Sequence, residues 1–175
     1  MLESLIMAGA FDEFKLNRMT IKENLHKIME YAELKNTIGI DEPPILTIVK
    51  DNKMKVLEEE KMVLGVYLSM HPIALIKQNL DVKIVDVNQL NRYINQNVRL
   101  VLNVTRVKVI VDKKGQEMCF VDGSDETGTV DGVVFASNFQ ALKKVLVRGN
   151  IYLIEGRVNY RDKLSLVINQ ARNIR

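Results

Sequence analysis

The chain's chemistry lies in its cations. Arg99, Arg106, Lys108, Lys113, Lys114, Arg157, Arg161 and Lys163 all fall in its second half. Such residues along one surface hold phosphates without reading sequence. Lys113 and Lys114 sit in the turn Asp112-Lys113-Lys114-Gly115, and Arg161, Asp162 and Lys163 form a second turn between apolar runs. Phe120, Phe135, Tyr152 and Tyr160 are available for stacking on bases, an interaction worth about 1–3 kcal/mol per base. Phe120 and Phe135 lie in strand-like runs that a small barrel needs for its core, so burial is the expectation for both. Tyr160, beside a basic turn, is the stacking candidate. Together these residues predict salt-sensitive, sequence-tolerant nucleic-acid binding.

Charge is distributed to match. Residues 1–97 carry 12 Lys and Arg against 14 Asp and Glu, and residues 98–175 carry 13 against 8. The net of +5 in the second part suits a polyanion, because each neutralised phosphate releases counterions. A solvated basic surface would have the same composition.

Catalytic constellations are poor. His26 and His71 lack a histidine or cysteine partner at metal-ligand spacing. Asp122, Asp125, Glu126 and Asp131 surround an Asp-Glu-Thr-Gly stretch that is ordinary turn chemistry. No phosphate-cradling glycine-rich loop occurs. The chain as given is therefore read as non-enzymatic, with no cofactor and no metal. Cys119, the single cysteine, lies in the apolar run Met118-Cys119-Phe120-Val121 and reads as a buried strand residue. One cysteine fits a reducing cytosol. No apolar stretch approaches the ~20 residues of a membrane span and no leader pattern is present, so a cytoplasmic location is expected.

The elements that must position these residues differ between the two parts. The first 97 residues read as helical and irregular. Leu2, Leu5 and Ile6 share a helical face that Gly9 ends. Thr20 and Glu23 form a capping box ahead of the periodic Ile21, Leu25, Ile28, Met29 and Ala32. Residues 37–53, with Pro43-Pro44, read as a linker or extended segment. A helix over 54–69 is expected to start on an exposed Glu58-Glu59-Glu60 and stop at His71-Pro72. A short helix at 73–79 and a strand-like Val82–Val87 lead into Asn91–Asn97, a joint rich in asparagine.

From Val98 the period changes to two. Val98, Leu100, Leu102 and Val104 share one face, then the phase slips to Val107, Val109 and Val111, the signature of a β-bulge. Strands are predicted over 117–122, 129–135, 151–160 and 164–168. A helix lies between the third and fourth strands, capped by Ser137 and Gln140 and stopped at Gly149. The order β-β-β-α-β-β with a long bent first strand is the OB layout: an α+β chain with an N-terminal helical segment, then a five-stranded barrel with one capping helix.

Several stretches together resemble the bacterial DNA polymerase III alpha subunit. They are Leu5-Ile6-Met7-Ala8-Gly9-Ala10-Phe11-Asp12 with Asn17-Arg18, and Glu60 through Ser69-Met70-His71-Pro72. Lys113 through Val121, Asp125-Glu126-Thr127-Gly128, Val133-Val134-Phe135 and Gly149 to Arg157 continue the likeness. The resemblance implies a C-terminal part of a longer subunit. Residues 1–36 would be the tail of a helix-hairpin-helix region, 37–97 a connector and 98–175 the OB domain. The family's polymerase aspartates lie upstream, and its OB domain is thought to hold single-stranded template. Residues 37–53 contain no glutamine and no aromatic, which counts against a sliding-clamp site there. A leucine common in the family is absent at Gly123 or Ser124, which predicts a loosened end to the second strand.

Three functions compete. One is a module that binds single-stranded DNA in a replicative polymerase. Another is a protein-interaction module that docks other replisome subunits, motivated by the acidic 58–60 stretch and the modest net charge. The third is an RNA-binding OB domain of the anticodon-binding kind, which contacts to the 2′-hydroxyl would reveal.

Overall fold

The computed structural model describes residues 1–174, which divide into two compact units, 1–72 and 73 onward. Among the described residues no helix is long and apolar enough to cross a membrane.

The first unit is built from short helices: α1 (Leu2–Met7), α2 (Arg18–Glu23), α3 (Leu25–Ile38) and α4 (Lys53–Leu64). Ile6, Met7 and Ile21 form a small apolar cluster. The cap of α2 is Asn17, whose side chain accepts from the Thr20 amide at 2.7 Å, and not the predicted Thr20. Thr20 is fully buried because its hydroxyl serves another strand of chain. It accepts from the Val49 amide at 3.0 Å and donates to the Val49 carbonyl at 3.3 Å. One helical turn on, Asn24 separates α2 from α3, and its carboxamide bonds both backbone groups of Thr47 at 2.8 Å. The stretch read as extended is thus held by three side chains, since Asn17 also donates to the Val49 carbonyl at 3.0 Å.

Two expectations for α4 are corrected. The helix ends at Leu64, not at His71-Pro72, because Gly65 adopts the left-handed conformation (φ +78°) that few other residues tolerate. Glu60 is not part of an exposed acidic start but fully buried. Its Oε1 accepts from the Leu68 and Ser69 amides at 3.0 and 2.8 Å, and its Oε2 lies 3.5 Å from the Arg18 guanidinium. Arg18 in turn donates to Asp12, the Met7 carbonyl and the Ser69 hydroxyl. The hydrogen bond from Arg18 holds the Asp12 carboxyl below the usual carboxylate range.

The second unit opens with α5 (Pro72–Gln78) and a 3-10 turn over Val87–Tyr93. The strand-like 82–87 stretch forms no strand, but the Val85 amide bonds the Arg99 carbonyl at 2.9 Å. Five strands follow: β1 (Asn97–Val111), β2 (Glu117–Ser124), β3 (Thr129–Val134), β4 (Ile151–Tyr160) and β5 (Leu164–Asn173), with α6 (Ala136–Leu142) between β3 and β4. They close into a barrel in the order β1-β2-β3-β5-β4, antiparallel except where β3 meets β5. The chain is α+β with an OB barrel. The expected bulge falls between Val104 and Arg106, where β1 leaves β4 and takes β2 as its partner. Bending there lets one strand serve both sides of the closure.

The barrel core holds Leu100, Leu102, Val104, Val121, Ile154, Leu166 and Ile168. Val85, Val87 and Leu90, upstream of the first strand, belong to the same core. They are held by a partly buried cluster: Lys77 Nζ donates to Asp86 at 2.6 Å, Asp125 at 2.9 Å and Glu126 at 3.0 Å, and Asp125 accepts from the Val87 amide at 3.0 Å. Burial alone would lower the Lys77 pKa, yet the three carboxylates outweigh it and push it up to about 12. Burial also opposes ionisation of Asp125, and bonds from Thr127, Lys77 and Val87 outweigh it, so its pKa is lowered.

Three local expectations change. The α6 N-cap is Phe135 with no side-chain cap, so the Ser137–Gln140 box does not form. That helix ends at Leu142 rather than Gly149. The buried Tyr152 hydroxyl donates to the Val145 carbonyl at 2.6 Å and accepts from the Val147 amide at 2.8 Å, taking groups a longer helix would use. The end of β2 is not loosened, since Gly123 and Ser124 pair with Val130 and Thr129. Cys119 is buried, as its apolar run implies.

Candidate nucleic-acid interface

Alternation on the barrel strands decides what faces outward. On β2, Cys119 and Val121 point into the core, so Phe120 between them points out and is 43% exposed. Phe135, just past β3, is 49% exposed because Val134 takes the core position. The expectation of burial for both is therefore overturned. Tyr152 moves the other way: it is completely buried with its hydroxyl bonded, and is not available for stacking.

Phe120 and Phe135 line a furrow of about 670 Å³ with Arg157, Arg161, Asn159 and Val167. A second hollow of about 330 Å³ holds Arg106, Asp122, Asp131 and Lys163. The two share Phe120, Val133, Asn159 and Arg161, so one continuous furrow crosses the outer faces of β2, β3, β5 and β4. Apolar rings flanked by guanidinium groups can take a stacked base and its phosphate together.

The predicted cations are placed unequally. Arg106, Arg157, Arg161 and Lys163 converge on the furrow. Arg106 meets Asp122 at 2.9 Å, and Lys163 is bonded to Asp131, whose hydrogen bond raises the lysine's pKa. The two acids offset those two cations. Arg157 donates its Nε to the Asn95 carbonyl at 3.0 Å, which fixes its stem. Arg161 has no ion pair among the described residues and borders both hollows. Lys108 is exposed opposite Phe120 in the β1–β2 register. Lys113 and Lys114 occupy the exposed hairpin tip, where Asp112 accepts from the Lys114 and Gln116 amides at 2.8 and 2.9 Å. Tyr160 is 57% exposed at the end of β4 and does not line either hollow. Arg99 stands apart, paired with Glu155 at 2.6 Å.

Sequence reasoning missed the carboxamides Asn95, Asn97, Asn159 and Asn169 in the furrow wall. The asparagine-rich joint before β1 was the available signal for the first two. Nothing in the local pattern marks the others.

The match to a known family agrees with this architecture. The family described as OB-fold nucleic acid binding domain matches residues 98–174. DNA polymerase III subunit alpha of Bacillus subtilis (strain 168) is 32% identical over 184 residues, covering 98% of this chain and 16% of that protein. The same subunit of Staphylococcus aureus (strain MSSA476) is 26% identical over 186 residues, covering 99% of this chain and 17% of that protein. The chain thus spans about a sixth of the length of these relatives. Among solved structures, the second OB-fold domain of replication protein A from Methanococcus maripaludis aligns at TM-score 0.36 and 18% identity, over 46% of this chain and 86% of that domain.

Proposed function

Because this chain is homologous to a segment of DNA polymerase III subunit alpha and its residues 98–174 belong to the OB-fold nucleic acid binding domains, we propose that it holds single-stranded DNA template for such a polymerase, in the cytoplasm. In this reading residues 1–36 end a helix-hairpin-helix region, 37–97 connect it to the barrel, and the furrow of the barrel is the DNA-binding surface.

The observation that carries the reading is the pair of half-exposed rings, Phe120 and Phe135, in one furrow with Arg157 and Arg161. Bases stack on the rings, because every base has a π-face, and the guanidinium groups hold the intervening phosphates. Lys108, Lys113 and Lys114 extend the positive track along the hairpin, and Lys163, Arg106 and Tyr160 flank it. Of the acidic stretch that motivated the docking alternative, Glu60 is buried and Glu59 pairs with Lys22 at 2.7 Å.

Fluorescence anisotropy with labelled strands tests the reading. Single-stranded DNA is expected to bind more tightly than duplex, with affinity falling steeply between low and moderate salt. Phe120→Ala with Phe135→Ala is expected to weaken binding at least about tenfold, from the loss of two stacking contacts. Arg161→Glu is expected to weaken it and to flatten the salt dependence. Absence of binding at low salt would sink the proposal, and tighter binding of RNA than of DNA of equal length would redirect it.

A further inference from the structure

The long first strand changes partners along its length. From Asn97 to Asn103, β1 pairs with β4. Val104 closes that side, its amide donating to the Asn150 carbonyl at 3.0 Å and its carbonyl accepting from the Gly149 amide at 2.7 Å. Beyond the bulge, from Arg106 to Val111, β2 is the only strand beside it among the described residues. The other edge of this stretch is open.

The ladder fixes which backbone groups that edge presents. The Asp112 amide donates to the Gln116 carbonyl at 2.8 Å. Residues of an antiparallel strand bond alternately to one side and the other, so Ile110, Lys108 and Arg106 face β2 as Asp112 does. The N–H and C=O groups of Val107, Val109 and Val111 therefore point away from β2. Among the described residues no further strand or loop takes them up. At the usual rise these five residues span about 14 Å.

Side chains add to the edge. Val107 packs against the barrel core, and Val109 and Val111 continue its face, 48% and 63% exposed. Natural edges are guarded by proline, by inward-pointing charge or by a covering segment; here the inward face is three valines. The hairpin is also basic. Lys108, Lys113 and Lys114 are exposed, with no ion pair among the described residues. Its acids are engaged: Asp112 by the Lys114 and Gln116 amides, Glu117 by Lys143 at 2.7 Å, and Asp122 by Arg106 at 2.9 Å.

We propose that the open edge of β1 binds an extended peptide segment of a partner protein, one that alternates aliphatic and acidic residues. Strand addition pairs the backbone groups of the three valines, sets the aliphatic side chains beside theirs, and brings the carboxylates to the lysines. A nucleic-acid strand would neutralise the lysines but has no row of N–H and C=O groups at strand spacing. A second copy of this chain would bring the same lysines against one another. The edge does not use the Phe120–Phe135 furrow, so the proposal stands apart from the single-stranded DNA reading.

The test is fluorescence anisotropy with two labelled peptides of about nine residues and blocked ends. One alternates valine and glutamate; the other has the same composition in two blocks. The alternating peptide is expected to bind at least about tenfold more tightly, through several backbone hydrogen bonds and one apolar face. Val109→Pro removes a donor from the open edge and none from the β2 ladder, a placement that edge strands tolerate. Val109→Lys puts a charge on the inward face. Each is expected to weaken the alternating peptide at least about tenfold and to leave the thermal midpoint and the affinity for a dT strand nearly unchanged. No binding of the alternating peptide, equal binding of the two peptides, or undiminished binding by the Val109→Lys protein overturns the proposal, the last two showing that the lysines attract any polyanion. A dimer of the peptide-free protein in sedimentation, dispersed by Val109→Lys, would assign the edge to a second copy and overturn it equally. The dT strand reports on the furrow separately, so either reading can fail alone.

Discussion

Residues 1–72 bury Arg18, Thr20, Asn24 and Glu60 alongside Ile6, Met7, Ile21 and Leu57, whereas Asp125 is the buried charged residue of the barrel unit among many aliphatic ones. The helices of the first unit are short, and α3, its longest, buries no residue at all. With little apolar face to pack, that unit gets its geometry from side chains that bond specific backbone groups many residues away. The barrel gets its geometry from closed strand pairing over a continuous apolar interior. The first arrangement is brittle: removing one partner leaves others buried and unpaired. The second is graded, because its loss scales with the volume removed.

The sharpest way to break this comparison is Glu60→Leu. It takes the acceptor from the Leu68 and Ser69 amides and one of two carboxylates from Arg18, which keeps Asp12, and is expected to cost the first unit about 4 kcal/mol. Hydrogen exchange should show faster exchange within residues 1–72 and unchanged protection in the barrel strands; a uniform loss would refute the contrast. Next, Lys77→Met is expected to cost about 3 kcal/mol, the low end for a broken buried pair, because Asp125 keeps its bonds to Val87 and Thr127. Leu100→Ala belongs at a similar level, about 3 kcal/mol by cavity formation, and Leu100→Met under about 1.5 kcal/mol, each read from urea midpoints.

The pH dependence of the Lys77 cluster sharpens the comparison further. Lys77 has its folded pKa raised from 10.5 to about 12, so its contribution is complete below 10.5 and fades as pH rises through about 12. Asp125 has its folded pKa lowered from 3.8, so its contribution is present above 3.8 and fades as pH falls below it. The stability gap between the natural protein and Lys77→Met should therefore be widest near neutrality and narrow at both extremes. A gap independent of pH would show that the cluster acts by packing alone. Smallest of all, Asn17→Ala is expected to cost about 1 kcal/mol by loss of the α2 cap, seen as a small shift in the thermal midpoint of the first unit.

The strands were legible because their signal is local. Period-two alternation located all five, and the slip between Val104 and Val107 marked the bulge before its partners were known. The end of β5 was missed because the bulge at Asn169 breaks the alternation that would have carried it from Ile168 to Asn173. Helix caps were misassigned at Thr20 and Ser137 for a different reason. A short polar side chain near a helix start fits the capping pattern equally well when it bonds a distant backbone, as Thr20 does to Val49.

From the sequence alone came the α+β order, the barrel with its bent first strand, the basic character of the second half and the cations worth naming. These rest on periodicity and charge, which a reader can follow residue by residue. Tertiary structure decided which faces those residues occupy. Closure of the barrel turned Phe120 and Phe135 outward and Tyr152 inward and joined Asn97 to Asn169 across one hollow, while packing within the first unit sank Glu60 beside Arg18. Alternation states that neighbours point opposite ways, but the side that becomes the interior is set only when strands far apart in the chain meet.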